Sequence, residues 1–74
     1  MAIRLQALYP EYAISDLDEA NETLAYYGFL DKRGYWYILK LTPTSARYVK
    51  GTTGYISNWA NRANLNYQYF DLVF

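Results

Sequence analysis

Residues 23–42 read TLAYYGFLDKRGYWYILKLT, and this stretch decides the fold. It contains two runs rich in aromatic and aliphatic residues, 23–30 and 35–42, separated by the polar turn 31–34. Runs of this length and composition are typical of strands, and Gly34 supplies the positive φ that a hairpin loop commonly needs. The stretch therefore predicts a β-hairpin.

The second arm of this hairpin has no polar face. One face carries Tyr35, Tyr37, Leu39 and Leu41, and the other carries Trp36, Ile38, Lys40 and Thr42. A strand with apolar groups on both faces is either central in a sandwich or covered by another chain. We assign Leu39 and Leu41 to the core. The aromatic residues at the start of the arm, Tyr35, Trp36 and Tyr37, are candidate interface residues.

Turn signals extend the hairpin in both directions. Residues 43–45 predict a second turn, after which residues 46–50 form a shorter third strand. On the other side, residues 11–21 are acidic and irregular, which predicts a solvated loop with at most one helical turn. Residues 1–10 predict an extended arm or a first strand, which Pro10 interrupts. The centre of the chain is thus predicted to be a three-stranded antiparallel meander.

Residues 55–64 predict a short amphipathic helix. At about 100° per residue, one apolar stripe comprises Tyr55, Ile56, Trp59, Ala60 and Ala63. Thr52 or Thr53 is placed to cap the N-terminus of this helix. We assign Trp59 and Ile56 to the core, because we expect the stripe to lie on the sheet.

After Asn66 the apolar spacing changes to a period of two, which predicts a last strand over residues 66–74. Its interface candidates are Tyr67, Tyr69, Phe70, Leu72 and Phe74. Both faces of this strand are apolar, and a small domain has one core to receive one face, so the segment predicts pairing with a partner chain. Residues 1–74 are predicted to form a single domain. Its class is α+β, mainly β, with a small antiparallel sheet of three to five strands and one short helix packed on a face.

Residue types that are missing limit the chemistry of the chain. It contains no Cys and no His, which removes disulfides, thiol nucleophiles and Ser-His or Cys-His sites. Asp16, Asp18 and Glu22 resemble part of a calcium loop, but the glycine and the full length of that loop are missing. No paired carboxylates in a pocket are indicated. We expect no enzyme activity, no cofactor and no metal.

Charge is balanced overall but divided along the chain. Seven basic and seven acidic residues give a net charge of zero, yet the first 22 residues sum to −4 and the remainder to +4. This division predicts self-association in which acidic residues between Asp16 and Glu22 meet Lys40, Arg47 or Lys50 of a neighbour. A net-neutral chain does not favour nucleic acid as a partner.

Aromatic residues make up 20% of the chain, with ten Tyr, three Phe and two Trp. One small core cannot hold them all, and Tyr and Trp suit surfaces that are buried on assembly. Small domains without a disulfide or metal usually need a partner, so we expect a homo-oligomer. No apolar run approaches the roughly 20 residues of a membrane span, and residues 1–8 are too short for a signal peptide and carry Arg4. We expect a soluble chain without a membrane partner.

Four segments of the chain form a recognisable pattern. They are Tyr27-Gly28-Phe29, residues 34–38 (GYWYI), residues 47–51 (RYVKG) and residues 59–67 (WANRANLNY). This pattern resembles that of a group of very small tailed-phage proteins. The group shares a Tyr-Gly-Phe strand, a Trp-containing hairpin and a C-terminal Trp-x-x-Arg-x-x-Leu-x-Tyr element. The resemblance covers about residues 23–67 and implies a phage origin and a virion role. This chain continues to Phe74, whereas the group usually ends soon after the Tyr that matches Tyr67.

The sequence thus favours a structural or assembly protein of a tailed-phage virion, made in the bacterial host cytoplasm. Its expected partners are identical copies and other virion proteins, contacted through aromatic residues. The alternative is a small binding module, in which exposed aromatics stack on a glycan of a receptor. The same module could hold single-stranded nucleic acid, with Lys32, Arg33, Lys40, Arg47 and Lys50 set among the aromatic rings.

Overall fold

The computed structural model describes residues 12–74, and in this part of the chain four strands form one antiparallel sheet. The strands are β1 (Ala13–Asn21), β2 (Leu24–Leu30), β3 (Trp36–Thr42) and β4 (Ser45–Gly51), in that spatial order. They are followed by helix α1 (Tyr55–Ala60), a 3₁₀ helix (Arg62–Asn64) and the one-turn helix α2 (Phe70–Val73). The predicted α+β, mainly β class is confirmed, with two short α-helices instead of one. The arm predicted over residues 1–10 lies outside the described residues.

Strand β1 occupies most of the segment that was predicted to be a solvated loop, so that prediction is wrong for residues 13–21. Every residue of β2 between its two ends is buried, and its backbone groups on the outer side need hydrogen-bond partners. β1 supplies them as an edge strand, where carboxylates are tolerated because their side chains reach water. Its register shifts between Ile14 and Asp16 and between Asp18 and Asn21. These irregularities hide the period-two pattern from the sequence.

The sheet buries aromatic residues on both faces. On the first face the buried residues are Ala25, Tyr27, Phe29 and Tyr37. On the second face, which carries α1, they are Tyr26, Trp36, Ile38 and Tyr55. The rings of Phe29 and Tyr37 stack with their centroids 4.4 Å apart. This double aromatic core explains why β2 and β3 show no polar face.

Two interface candidates belong instead to this core. Trp36 is 3% exposed and Tyr37 is 1% exposed, because α1 covers one face of β3 and Phe74 packs edge-on against Tyr37 on the other. Leu39 and Leu41, the predicted core residues of the same strand, are partly buried against the first face.

Helix α1 contacts the sheet through Tyr55 and Trp59, which are four residues apart and share one side of the helix. Trp59 is partly buried against the second face. Ile56 is 83% exposed, so its assignment to the core is wrong. It lies about 100° around the helix from Tyr55, and with Tyr55 turned to the sheet this angle carries Ile56 into solvent.

The C-terminal segment does not form the strand predicted over residues 66–74. It pairs with β4 at a single bridge, in which Tyr48 and Gln68 exchange backbone hydrogen bonds of 2.8 and 2.9 Å. The chain then turns into α2, which brings Phe70 and Phe74 onto the ring of Tyr48. Residues spaced by four lie on the same side of a helical turn, so Phe70 and Phe74 face Tyr48 while Leu72 faces away. In the predicted strand all three side chains would have shared one face.

Candidate functional site

Two carboxylates of β1 bind α1 and the 3₁₀ helix to the sheet. The hydroxyl of Tyr55 donates to Asp16 Oδ2 over 2.6 Å, and Arg62 donates through Nε and Nη2 to Asp18 Oδ2 over 3.0 and 2.9 Å. Burial, and then the hydrogen bond to Asp16, raise the pKa of Tyr55 far above its usual value. Within residues 12–74, no three acidic side chains converge as metal ligands would. Asp16 and Asp18, two of the three acids that resembled part of a calcium loop, have a structural role here.

A third carboxylate of β1 bonds to the first face of the sheet. The hydroxyl of Tyr27 donates to Glu19 Oε2 over 2.7 Å. Burial and this hydrogen bond raise the pKa of Tyr27 to about 12, so the phenol is neutral at physiological pH. On the first face β2 is thereby linked to β1 by a side chain in addition to the backbone ladder, whereas on the second face β1 is linked to Tyr55 and Arg62.

The turn between β2 and β3 is organised by Asp31, whose side chain is almost fully buried. Its Oδ1 accepts the backbone N–H groups of Arg33 and Tyr35, each at 2.9 Å, and its Oδ2 pairs with the Arg33 guanidinium. Desolvation opposes ionisation, but the hydrogen bonds from Arg33 and Tyr35 outweigh it and lower the pKa of Asp31. Gly34 has a φ of 92°, which an L side chain rarely adopts, as the hairpin prediction required.

Three of the basic residues that suggested a nucleic-acid platform lie against the chain's own rings. The Arg47 guanidinium lies 3.9 Å from the centroid of Tyr69. In the same way Lys40 Nζ lies 5.5 Å from the ring of Tyr67, and Lys50 Nζ lies 5.1 Å from the ring of Phe74. These cation–π contacts secure the C-terminal segment to β3 and β4. With Trp36 and Tyr37 buried as well, the predicted stacking surface is largely used inside the fold.

An open groove of about 410 Å³ lies between the β2–β3 turn and the N-terminal end of α1. Its described lining offers the hydroxyls of Thr52, Thr53 and Ser57 and one charged group, the guanidinium of Arg33. That guanidinium is already paired with Asp31. The lining therefore brings no carboxylate together with a second titratable group, which is the arrangement that acid–base chemistry requires.

The largest exposed apolar side chains near β4 are consecutive or nearly so in sequence. Tyr69 is 57% exposed, Phe70 44% and Leu72 66%. We call these three residues the C-terminal patch. The segment that carries them is held in place by the Gln68 bridge and by the contacts of Arg47 and Tyr48 with its rings. Tyr69 and Phe70 are thus held in defined positions by Arg47 and Tyr48, and the segment is not a loose tail.

The predicted interface residues therefore divide into four groups. Trp36 and Tyr37 are buried, Tyr67 and Phe74 are partly buried against their own sheet, and Tyr35 stays at the surface beneath Arg33. The C-terminal patch is the exposed remainder. Sequence reasoning missed two further exposed apolar residues, Ile14 and Leu17 of β1. Their spacing of three gives no strand signal, because a bulge lies between them.

No protein-family model, curated protein or solved structure gives a significant match to this chain. None of the described helices is long and apolar enough to cross a membrane.

Proposed function

We propose that this chain is a structural component of a tailed-phage virion, which binds other protein chains of the particle through its C-terminal patch. The observation that carries the proposal is the exposure of Tyr69, Phe70 and Leu72 on a segment that is anchored to the sheet. The phage context rests on the Tyr-Gly-Phe, hairpin and Trp-x-x-Arg-x-x-Leu-x-Tyr pattern.

Anchoring matters because a flexible segment loses conformational entropy when it becomes ordered on binding, and this loss weakens association. Here the backbone at Gln68 is bonded to Tyr48, and the ring of Tyr69 is stacked under Arg47. A partner would therefore meet side chains that already have defined positions, and association would lose less conformational entropy. Large aromatic and aliphatic anchors of this kind supply most of the binding energy in protein interfaces.

Most charged side chains described above make contacts within the fold. Asp16, Asp18 and Asp31 bond to Tyr55, Arg62 and Arg33, and the cations of β3 and β4 lie against aromatic rings. The C-terminal patch is the set of large side chains near β4 that the fold leaves available. An assembly role accounts for this surface, whereas the glycan and nucleic-acid alternatives lose Trp36, one of the aromatic residues on which they were based, because it is buried.

Incorporation into particles tests the proposal. Tagged wild-type chain and a Leu72→Ser variant are produced during phage growth, and the amount of chain in density-purified particles is measured by quantitative mass spectrometry. We expect the variant to be reduced about ten-fold or more, which corresponds to roughly 1.4 kcal/mol of binding free energy. Ile56→Ser is the matched control, because Ile56 is also exposed and lies on α1, away from the patch. Equal incorporation of all three chains, or none of any, would refute the proposal.

A further inference from the structure

We propose that copies of this chain associate head to tail, with the β1 edge of one copy against the C-terminal patch and β4 edge of the next. The inference deepens the proposed function by naming one of the partner chains, and it rests on that function for its biological setting. Its physical basis is separate, because it depends on charge and apolar surface at two opposite edges of the sheet.

Charge changes steadily across the sheet from one edge to the other. β1 carries −3 from Asp16, Asp18 and Glu19, and β2 carries no charge. β3 carries +1 from Lys40, and β4 carries +2 from Arg47 and Lys50. The sequence shows the imbalance between the two ends of the chain, but the meander order β1-β2-β3-β4 turns it into a dipole across the molecule.

Part of this charge is balanced within the fold, and enough remains at the surface. Arg62 neutralises Asp18, whereas Asp16 and Glu19 accept hydrogen bonds from the neutral hydroxyls of Tyr55 and Tyr27. Glu19 is exposed, as is Glu22 in the adjoining turn. At the opposite edge Lys50 is exposed, and its contact with Phe74 does not neutralise it, because an aromatic ring carries no net charge. Asp71, which lies between Phe70 and Leu72, is also exposed, so Arg47, Lys50 and Asp71 together leave this edge a net charge of +1.

Each edge also carries exposed apolar residues. Ile14 and Leu17 lie on β1, and Phe70 and Leu72 lie beside β4. An interface needs an apolar centre to supply affinity and complementary charge around it to select the partner. The two edges therefore match each other in both respects.

The same features disfavour a symmetric contact. Pairing β1 with β1 would place two acidic edges side by side, each with Asp16, Asp18 and Glu19, and such like-charge contacts cost several kcal/mol in specificity. A contact between two different edges of identical copies is heterologous, and its repetition produces a closed ring or an open filament. The register shifts of β1 interrupt the regular ladder that strand addition would require, so we place the contact on side chains.

Two edge variants test the inference in purified protein without any phage particle. Leu17→Lys places a cation on the acidic edge, and Leu72→Asp places a carboxylate on the basic edge. The mass in solution is measured by sedimentation for wild type, for each variant and for their equimolar mixture. We expect wild type to form species larger than a dimer and each variant alone to stay monomeric. The mixture should form a heterodimer, because each variant keeps one intact edge and the two intact edges are complementary.

The controls separate folding from association. Circular dichroism must show that both variants are folded, and Ile56→Lys should associate like wild type because Ile56 is remote from both edges. Raising ionic strength from about 0.1 M to about 1 M shortens the Debye length from about 10 Å to about 3 Å and should weaken wild-type association about ten-fold. The inference fails if wild type is monomeric, if either variant self-associates like wild type, or if the folded variants do not combine.

This experiment is independent of the incorporation test. Self-association of a chain that never enters particles would refute the proposed function and leave the head-to-tail contact standing. A chain that enters particles but is monomeric in solution at every concentration would overturn the contact and leave the proposed function intact.

Discussion

At the scale of single residues, Gly28 determines how closely α1 approaches the sheet. A Cβ atom at this position would overlap the hydroxyl of Tyr55 and would lie 3.0 Å from Cε3 of Trp59. The absence of a side chain thus lets the Tyr55 hydroxyl cross β2 and reach Asp16 on β1. The glycine of the Tyr-Gly-Phe motif is explained by packing, because Tyr55 and Trp59 lie directly over Gly28.

We expect Gly28→Ala to lower the free energy of unfolding by about 1–3 kcal/mol, the usual cost of overpacking a well-filled core. Chemical denaturation measures this change. In a Tyr55→Phe background the hydroxyl is missing, so the same substitution should cost less. An equal cost in both backgrounds would show that Tyr55 does not set the approach distance.

Asp31 is a second residue whose individual chemistry matters, because its carboxylate organises the β2–β3 turn. Its pKa is lowered in the folded state, so its ionised form stabilises the fold above the unfolded-state pKa of about 3.9. That stabilisation is lost as pH falls through the folded-state pKa.

We therefore expect Asp31→Asn to lower the melting temperature at neutral pH, since Asn lacks the charge that pairs with Arg33. The difference from wild type should begin to shrink as pH falls below about 3.9, where the unfolded chain takes up a proton, and it should be smallest once the folded carboxyl is protonated at still lower pH. Thermal melts from neutral to acidic pH follow this difference. A difference that stays constant over the whole range would mean that Asp31 acts through shape and not through its charge.

At the scale of elements, the C-terminal segment acts as a clamp on β4. Phe74 lies 5.2 Å from Tyr37 and 6.0 Å from Tyr48 between ring centroids, so α2 covers part of the first face of the sheet. The opposite side of the same turn presents Leu72 to solvent. One short element thus serves the core through Phe74 and leaves the patch available through Leu72.

This division predicts different outcomes for two substitutions in α2 and its cap. Phe74→Ala should cost about 2 kcal/mol of unfolding free energy, below the 3–5 kcal/mol of a fully buried Phe, whereas Leu72→Ala should change it by less than about 0.5 kcal/mol. Denaturant unfolding of both variants measures the contrast. Equal stability of the two would mean that the segment does not clamp the sheet.

At the scale of the whole molecule, the two central strands carry the fold. β2 and β3 have strand neighbours on both sides and buried aromatic residues on both faces. β1 is paired on one side among the described residues, and most of its side chains are exposed. β2 and β3 are therefore expected to be the most stable strands, and β1 is expected to be less stable than either.

Native-state hydrogen exchange should reproduce this order. Amides of Tyr27, Phe29 and Ile38 are expected to exchange only through global unfolding, whereas those of β1 exchange through local opening at lower free energy. Nuclear magnetic resonance resolves the individual amides. Protection of β1 equal to that of β3 in monomeric protein would contradict the ranking.

The local pattern of the sequence was sufficient for the central hairpin and the third strand of the meander. The ends of the predicted strands 23–30, 35–42 and 46–50 differ from those of β2, β3 and β4 by no more than one residue. Dense apolar runs bounded by turn residues leave the backbone few alternatives. The α+β class followed from the same signals together with the stripe of Tyr55 and Trp59.

Tertiary contacts decided what the pattern left open. β1 forms because β2 needs a neighbour, Ile56 is exposed because Tyr55 fits over Gly28, and α2 forms because Phe70 and Phe74 both pack on Tyr48. A period-two or period-four pattern states which side chains share a face, but the choice between partners depends on residues distant in sequence. For the same reason the sequence named the aromatic residues of the candidate interface, and the fold separated the buried Trp36 and Tyr37 from the exposed Tyr69, Phe70 and Leu72.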